Sequence, residues 1–208
     1  MRRSLMGVVA GVVVAGLTAV SAAPAAAQET GTPVFKAPYR TFDQYEFGAS
    51  FTDPGGATNF SLEGFYTYGY RQFDLSVRGG FEDLKGDTGT RYLLGGDLRT
   101  RFLSYSDRIP VDASLTLGFG ANVGTGRDVY YVPIGVSVGR RFNLENSQTT
   151  FVPYLQPVLV PTFGGGESDV DLALGVGVDL RFSRSLGLRV SGGLGDIEGV
   201  GVSIAFVH

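Results

Sequence analysis

The sequence predicts an all-β protein: a closed antiparallel up-and-down transmembrane β-barrel, most simply of ten strands, with eight as the alternative. Three observations lead there. Apolar and polar residues alternate through most of the chain, glycine-rich turns recur at short intervals, and the polar face is made of glycine, arginine and carboxylates. The clearest stretch is 109–123, IPVDASLTLGFGANV, in which Ile109, Val111, Ala113, Leu115, Leu117, Phe119, Ala121 and Val123 are apolar. Asp112, Ser114, Thr116, Gly118, Gly120 and Asn122 between them are polar or tiny. A strand sends successive side chains to opposite faces, so this is a strand with one greasy face and one polar face.

The start of the chain follows a different rule. Met1-Arg2-Arg3 is a positive n-region, Leu5 to Val20 is apolar, and Ala25-Ala26-Ala27 offers a small-residue cleavage site. Residues 1–27 are therefore expected to be a signal peptide cut before Gln28. The apolar run is short against the ~20 residues of a membrane-spanning helix. Residues 28–38 (QETGTPVFKAP) carry no period and are expected to be a flexible periplasmic leader. The barrel is expected over 39–208.

Ten alternating segments follow: 39–51, 58–70, 73–81, 90–102, 109–123, 129–142, 150–163, 169–182, 186–194 and 199–207. Turn formers separate them, among them Asp53-Pro54-Gly55-Gly56, Lys85-Gly86-Asp87, Gly124-Thr125-Gly126, Gly164-Gly165-Gly166, Ser183-Arg184-Ser185 and Gly195-Asp196. Such short connections demand antiparallel hairpins, because parallel pairing needs a crossover of a dozen or more residues. An even number of strands lets both ends leave from one rim, and closure removes the two unpaired edges. Arg101-Phe102, Arg141-Phe142 and Arg181-Phe182 recur every forty residues. Each closes a segment, so the three pairs should lie at one rim on alternate strands.

Which face looks outward follows from composition. The polar face holds Gly48, Gly80, Gly95, Gly118, Gly120, Gly135 and Gly139, each costing about 0.5–1 kcal/mol on a solvated strand. In a lumen they leave room for neighbours. The chain has fifteen arginines but only two lysines, Lys36 and Lys85, neither in a strand core. Arginine suits ion pairs held away from bulk water. Glu46, Glu63, Asp74, Asp97, Asp112, Asp171 and Asp179 balance Arg78, Arg91, Arg99, Arg101, Arg141, Arg181 and Arg189, an expected lumen ion network, structural or pore-lining. On the apolar face, Tyr68, Tyr70, Phe73, Phe102, Phe142, Phe182 and Phe206 should form one aromatic girdle. Phe51, Phe60, Phe81, Tyr92 and Phe119 should form the other, with leucine and valine between. Turning the charged face to lipid would cost roughly 2–4 kcal/mol per mid-membrane arginine.

On these residues the chain resembles the small bacterial outer-membrane β-barrels, the opacity-protein-like superfamily, over 39–208. The resemblance is one of pattern. It implies residence in the outer membrane, contact with its lipid, and recognition by the outer-membrane assembly machinery through the last strand. Gly201, Ile204 and Phe206 fit that last strand, although Val207 and His208 follow the aromatic residue. Eight strands is the commoner number in that superfamily.

Candidate chemistry is sparse. The formal charge is −3, or −5 without Arg2 and Arg3, and no basic run marks a nucleic-acid partner. Absence of cysteine excludes a thiolate nucleophile, thiolate metal site or disulfide. A histidine base has one candidate, His208 at the terminus. Asp169 and Asp171 with Glu167 could pair carboxylates, and Glu82, Asp83 and Asp87 could offer oxygens to a hard cation. The first set is better read as loop acids and one network member, and the second lacks the spacing of a dedicated calcium loop. The glycine runs at Gly164 and Gly118 open no helix, and Asn59-Phe60-Ser61 is a sequon of no consequence in an exported bacterial protein. No cofactor, metal site or enzymatic activity is expected. Pro153, Pro157 and Pro161 share the parity of Phe151, Leu155 and Leu159, so that strand should be bulged, weakly paired or distorted. The sequence thus points to a structural barrel or a narrow passive pore for small solutes. A hydrophobic ligand or partner at 150–163 is an alternative, and a soluble lipocalin-like carrier a more distant one.

Overall fold

A computed structural model describes residues 35–56, 58–86, 89–144, 147 and 149–208. The expected signal peptide and residues 28–34 of the expected leader lie outside them. The described chain is all-β, with twelve strand pieces: β1 (Tyr45–Asp53), β2 (Thr58–Tyr70), β3 (Phe73–Leu84), β4 (Thr90–Leu103), β5 (Asp112–Gly124), β6 (Val129–Tyr131), β7 (Ile134–Gly139), β8 (Phe142–Asn143), β9 (Thr150–Gly164), β10 (Glu167–Arg181), β11 (Leu186–Gly195) and β12 (Gly199–Val207).

Every pairing is antiparallel and, apart from the pieces β6, β7 and β8, each strand pairs with its sequence neighbours, as short connections require. β1 then pairs with β12, from Glu46 against Val207 to Asp53 against Val200, which closes the ring. β6, β7 and β8 are one interrupted strand, because they run along β9 in a single register from Tyr130 opposite Phe163 to Asn143 opposite Thr150. The barrel therefore has ten staves, the number that the alternation predicts. The start of β1 and the C-terminal residue lie at the same rim, where the backbone N–H groups of Gln44 and Tyr45 donate to the carbonyl of His208.

The apolar face looks outward. Leu75 is 59% exposed and Phe119 63%, while Glu46, Glu63, Asp97 and Arg99 point into the lumen and are buried. Outside, Phe51 stacks on Phe60 at 5.8 Å and Phe47 on Phe206 at 5.5 Å, within aromatic clusters near opposite rims.

Three expectations need correction. The first predicted segment begins at Tyr39, but β1 starts at Tyr45; Tyr39–Gln44 instead lies at the mouth of the lumen, tied to inward-facing side chains. Residues 35–38, expected within a flexible leader, are packed inside the barrel, with Phe35 6% and Ala37 0% exposed. The proline strand is neither bulged nor distorted toward β10, with which it pairs without a break from Thr150 to Gly164, and the expected weak pairing is confined to its other side.

The distortion falls on the neighbouring stave instead. Pro161, Pro157 and Pro153 stand opposite Val132, Val136 and Arg140 in the common register, and proline has no N–H to return. Val132 still donates to the Pro161 carbonyl at 2.9 Å and Arg140 to that of Pro153 at 3.3 Å. The reciprocal bonds are lost; β7 runs on through Val136, and the breaks between β6, β7 and β8 fall at Val132-Pro133 and Arg140-Arg141, where Pro133 also brings no donor to β5.

Candidate functional site

The lumen is occupied by the chain itself. Phe35 sits among Val152, Tyr154, Val158, Val160 and Ala173 from β9 and β10, with Tyr131 from β6 and Ile197 from the last connection. Its ring fits because Gly175 and Gly193 have no side chains. A Cβ on Gly175 would overlap the Phe35 ring, and one on Gly193 would lie 2.9 Å from it. Burying such a side chain is worth about 1.5–3 kcal/mol.

Lys36 crosses to the opposite chemistry. Its Nζ donates to Asp97 Oδ1 at 2.7 Å and to Ser76 Oγ at 2.6 Å. Its backbone N–H donates to Gln156 Oε1 at 2.5 Å, and its carbonyl accepts from Ser137 Oγ at 2.6 Å. Burial pushes the Lys36 amine below its ordinary pKa, Asp97 opposes that, and Arg99 acts with burial. The Ala37 carbonyl accepts from Arg99, and the Thr41 carbonyl accepts from Arg181 at 2.5 Å. Phe42 packs on Phe65, Ala205 and Val207 near the rim. Nearly all of these bonds run to side chains rather than to a strand ladder, so the segment is a stopper seated in the barrel and not an eleventh stave.

The fourteen predicted network residues fall into several groups. Arg99 Nη2 meets Asp74 at 2.6 Å, and Arg40 joins the same carboxylate at 3.2 Å. Arg189 bridges Glu46 at 2.5 Å and Asp179 at 3.2 Å, joining β11 to β1 and β10. Deeper toward the far rim, Arg91 meets Glu82 at 3.2 Å. Arg78 Nη2 lies 3.5 Å from the Tyr131 hydroxyl, and Glu63 is buried nearby on β2. Arg101 and Arg141 lie at the termini-side rim against Tyr39, and Arg181 bonds backbone carbonyls there. Asp112 accepts from the Tyr105 N–H at 3.1 Å, and Asp171 from Thr162 Oγ1 at 2.7 Å; neither joins an ion pair among the described residues.

Sequence reasoning missed three members of the network. Lys36 lies in the leader, which has no period, and Arg40 lies at the start of the predicted segment 39–51, ahead of β1, where Thr41-Phe42-Asp43-Gln44 breaks the alternation. Glu82 continues the parity of Asp74, Arg78 and Gly80, and was readable as inward had β3 been carried past Phe81. The other candidates have ordinary roles. Glu167 pairs with Arg127 at 3.0 Å, Asp169 caps the N–H of Val170 at 2.7 Å, and Asp83 accepts from Asn59 at 2.7 Å. Asp87 lies outside the described residues. His208 is held in place, its N–H donating to the Tyr45 carbonyl at 2.9 Å and its ring stacked on Tyr45 at 4.9 Å. Among the described residues no cluster of ligating side chains could hold a metal ion.

No protein-family model matches the chain, and no curated protein does. Solved structures do match. The beta domain of the Bordetella autotransporter Brka superposes with a TM-score of 0.51 at 12% identity, over 80% of this chain and 100% of that one. The fold is that of the outer-membrane β-barrels. Two further matches are weaker: the N-terminal β-barrel domain of Pseudomonas aeruginosa OprF and the Acinetobacter baumannii outer membrane protein Omp33. The first has a TM-score of 0.35 at 14% identity over 78% and 96% of the two chains; the second has 0.37 at 12% over 79% and 98%. At such identities the likeness is one of fold alone.

Proposed function

We propose that this protein is a stoppered barrel of the bacterial outer membrane: a structural element whose narrow lumen becomes a passive pore for small solutes when residues 35–43 leave it. The outward apolar face supports the membrane setting, since a soluble carrier would turn those side chains toward a cavity. The observation that carries the reading is the seated segment, with Phe35 in its glycine cradle and Lys36 on Asp97. Connections are short at the far rim, which argues for passage or support rather than a large adhesive crown. Its bonds to side chains rather than to a strand ladder mark the segment as a closure and not a part of the wall.

Single-channel recording of the refolded protein in planar bilayers tests this. Phe35→Asp with Lys36→Glu puts a carboxylate in the cradle and a like charge beside Asp97. The double variant should show discrete steps several-fold larger or more frequent than wild type. If both proteins insert and both stay silent, the pore half of the proposal fails and the structural half stands.

A second reading rests on the proline stave. Ile134, Val136, Pro157, Leu159 and Leu172 line an open apolar groove of about 440 Å³. It is a place where a hydrophobic ligand or partner would find ladder groups already weakened.

A further inference from the structure

At the termini-side rim the lumen opens into a polar basin of about 280 Å³, lined by Arg40, Arg71, Arg101, Arg141 and Arg181 against Asp43 and Asp74. The two aspartates do not neutralise it. Asp74 is already engaged by Arg99 and Arg40. Among the described residues Arg71, Arg101, Arg141 and Arg181 have no carboxylate within ion-pair distance. They rest on weaker acceptors. The Arg101 and Arg141 guanidinium carbons lie 5.4 Å and 4.4 Å from the centre of one ring, that of Tyr39, whose hydroxyl accepts from Arg141. Arg71 lies over Tyr70 at 5.3 Å. Arg181 donates to the carbonyls of Thr41 at 2.5 Å, Ser183 at 3.1 Å and Arg184 at 2.9 Å. The forty-residue repeat thus delivers one arginine from each of three alternate staves to a single mouth.

We infer that this basin is a binding site for a small phosphate-bearing anion that enters from the termini-side rim. Guanidinium presents planar donors in a fixed fork that suits phosphate oxygens, which cation–π contacts leave free to engage. Walls of low dielectric concentrate the positive potential at such a mouth. Arg101 and Arg141 are like charges brought to one ring, and an anion between them would relieve their repulsion as well as gain hydrogen bonds. The same two side chains hold Tyr39 of the stopper, and Arg181 holds its Thr41. An anion that recruits them therefore competes with the contacts that seat the segment.

The test is calorimetric titration of the refolded full-length protein in zwitterionic detergent with pyrophosphate and inorganic phosphate, sodium chloride matching the ionic strength. Saturable single-site binding is expected, weaker by about tenfold or more in Arg101→Gln/Arg141→Gln, since each charge-assisted bond carries roughly that factor. Arg127→Gln, at the far rim, should bind like wild type. Heat-modifiable migration confirms that each variant is folded; if the double variant is not, the two single variants replace it. Absence of saturable binding, or equal binding by the arginine variants, overturns the inference. Micelles doped with phosphatidylglycerol separate two sources of the same chemistry: competition with pyrophosphate assigns the site to a lipid headgroup, and lack of competition assigns it to a free solute. The titration reads binding alone, so its outcome is independent of whether the lumen conducts.

Discussion

Two walls of the same barrel are built on opposite principles. From β2 to β4 the inner face carries Glu63, Asp74, Glu82 and Asp97 with Arg78, Arg91 and Arg99, and the β3–β4 ladder runs unbroken from Phe73 to Asp83. From β6 to β9 the inner face is mainly Val129, Tyr131, Val152, Tyr154, Val158 and Val160, with Ser137, Gln156 and Thr162 among them, and three ladder donors are replaced by proline. Charges in a dry interior need partners at fixed distances, so the first wall depends on register. Apolar side chains pack on Phe35 without directional demands, so the second can lose hydrogen bonds along its length. The stopper spans both, placing Phe35 and the Lys36 backbone on the second wall and the Lys36 ammonium on the charged one.

The comparison is broken most severely at the charged wall. Asp74→Asn leaves Arg99 buried without a counter-ion, and removal of one partner of such a pair costs about 3–5 kcal/mol. Urea unfolding from lipid vesicles should show that loss, whereas a loss under about 1 kcal/mol would mean that the pair is solvated. A smaller effect is expected at the other wall. Replacing Pro153, Pro157 and Pro161 by valine restores bonds worth about 0.5–1.5 kcal/mol each. The valines give back about 0.4–1 kcal/mol each through a freer unfolded chain. Net stability should therefore change little, while amide exchange at Val132 and Arg140 should slow clearly. Unchanged exchange would show that the β6–β9 seam is already closed by other means. Smallest is Arg127→Gln, which removes an exposed pair with Glu167 and should cost less than about 1 kcal/mol in the same unfolding assay.

The ten staves were legible because alternation is a strong signal, and the two-sided reading of residues 109–123 carries directly into β5. The network residues on strands were legible for the same reason: parity assigns Arg99 and Asp97 to the lumen without knowledge of their partners. What parity lacks is any hold on a segment without a period. Residues 35–44 are bound at irregular spacing by side chains from distant staves, Gln156 and Ser137 among them, and no local pattern encodes that. The prolines were readable as a disturbance, but which strand would bear it depends on which side each missing N–H faces. That follows only from the closed register.

The stopper also bears on the order of events when the barrel is made. The nine hairpin contacts join neighbours in sequence, whereas the β1–β12 seam joins Glu46 to Val207 across almost the whole described chain. Such distant pairing is the slow step in forming a sheet protein, because loop-closure entropy is spent before the contacts form. Residues 35–44 lead directly into β1, so they have to be inside the ring when that seam zips, or be drawn in through a mouth already lined with arginines. In the first case assembly and closure of the lumen are one event in time, and a variant that slows one delays the other; in the second, closure is a later step of its own.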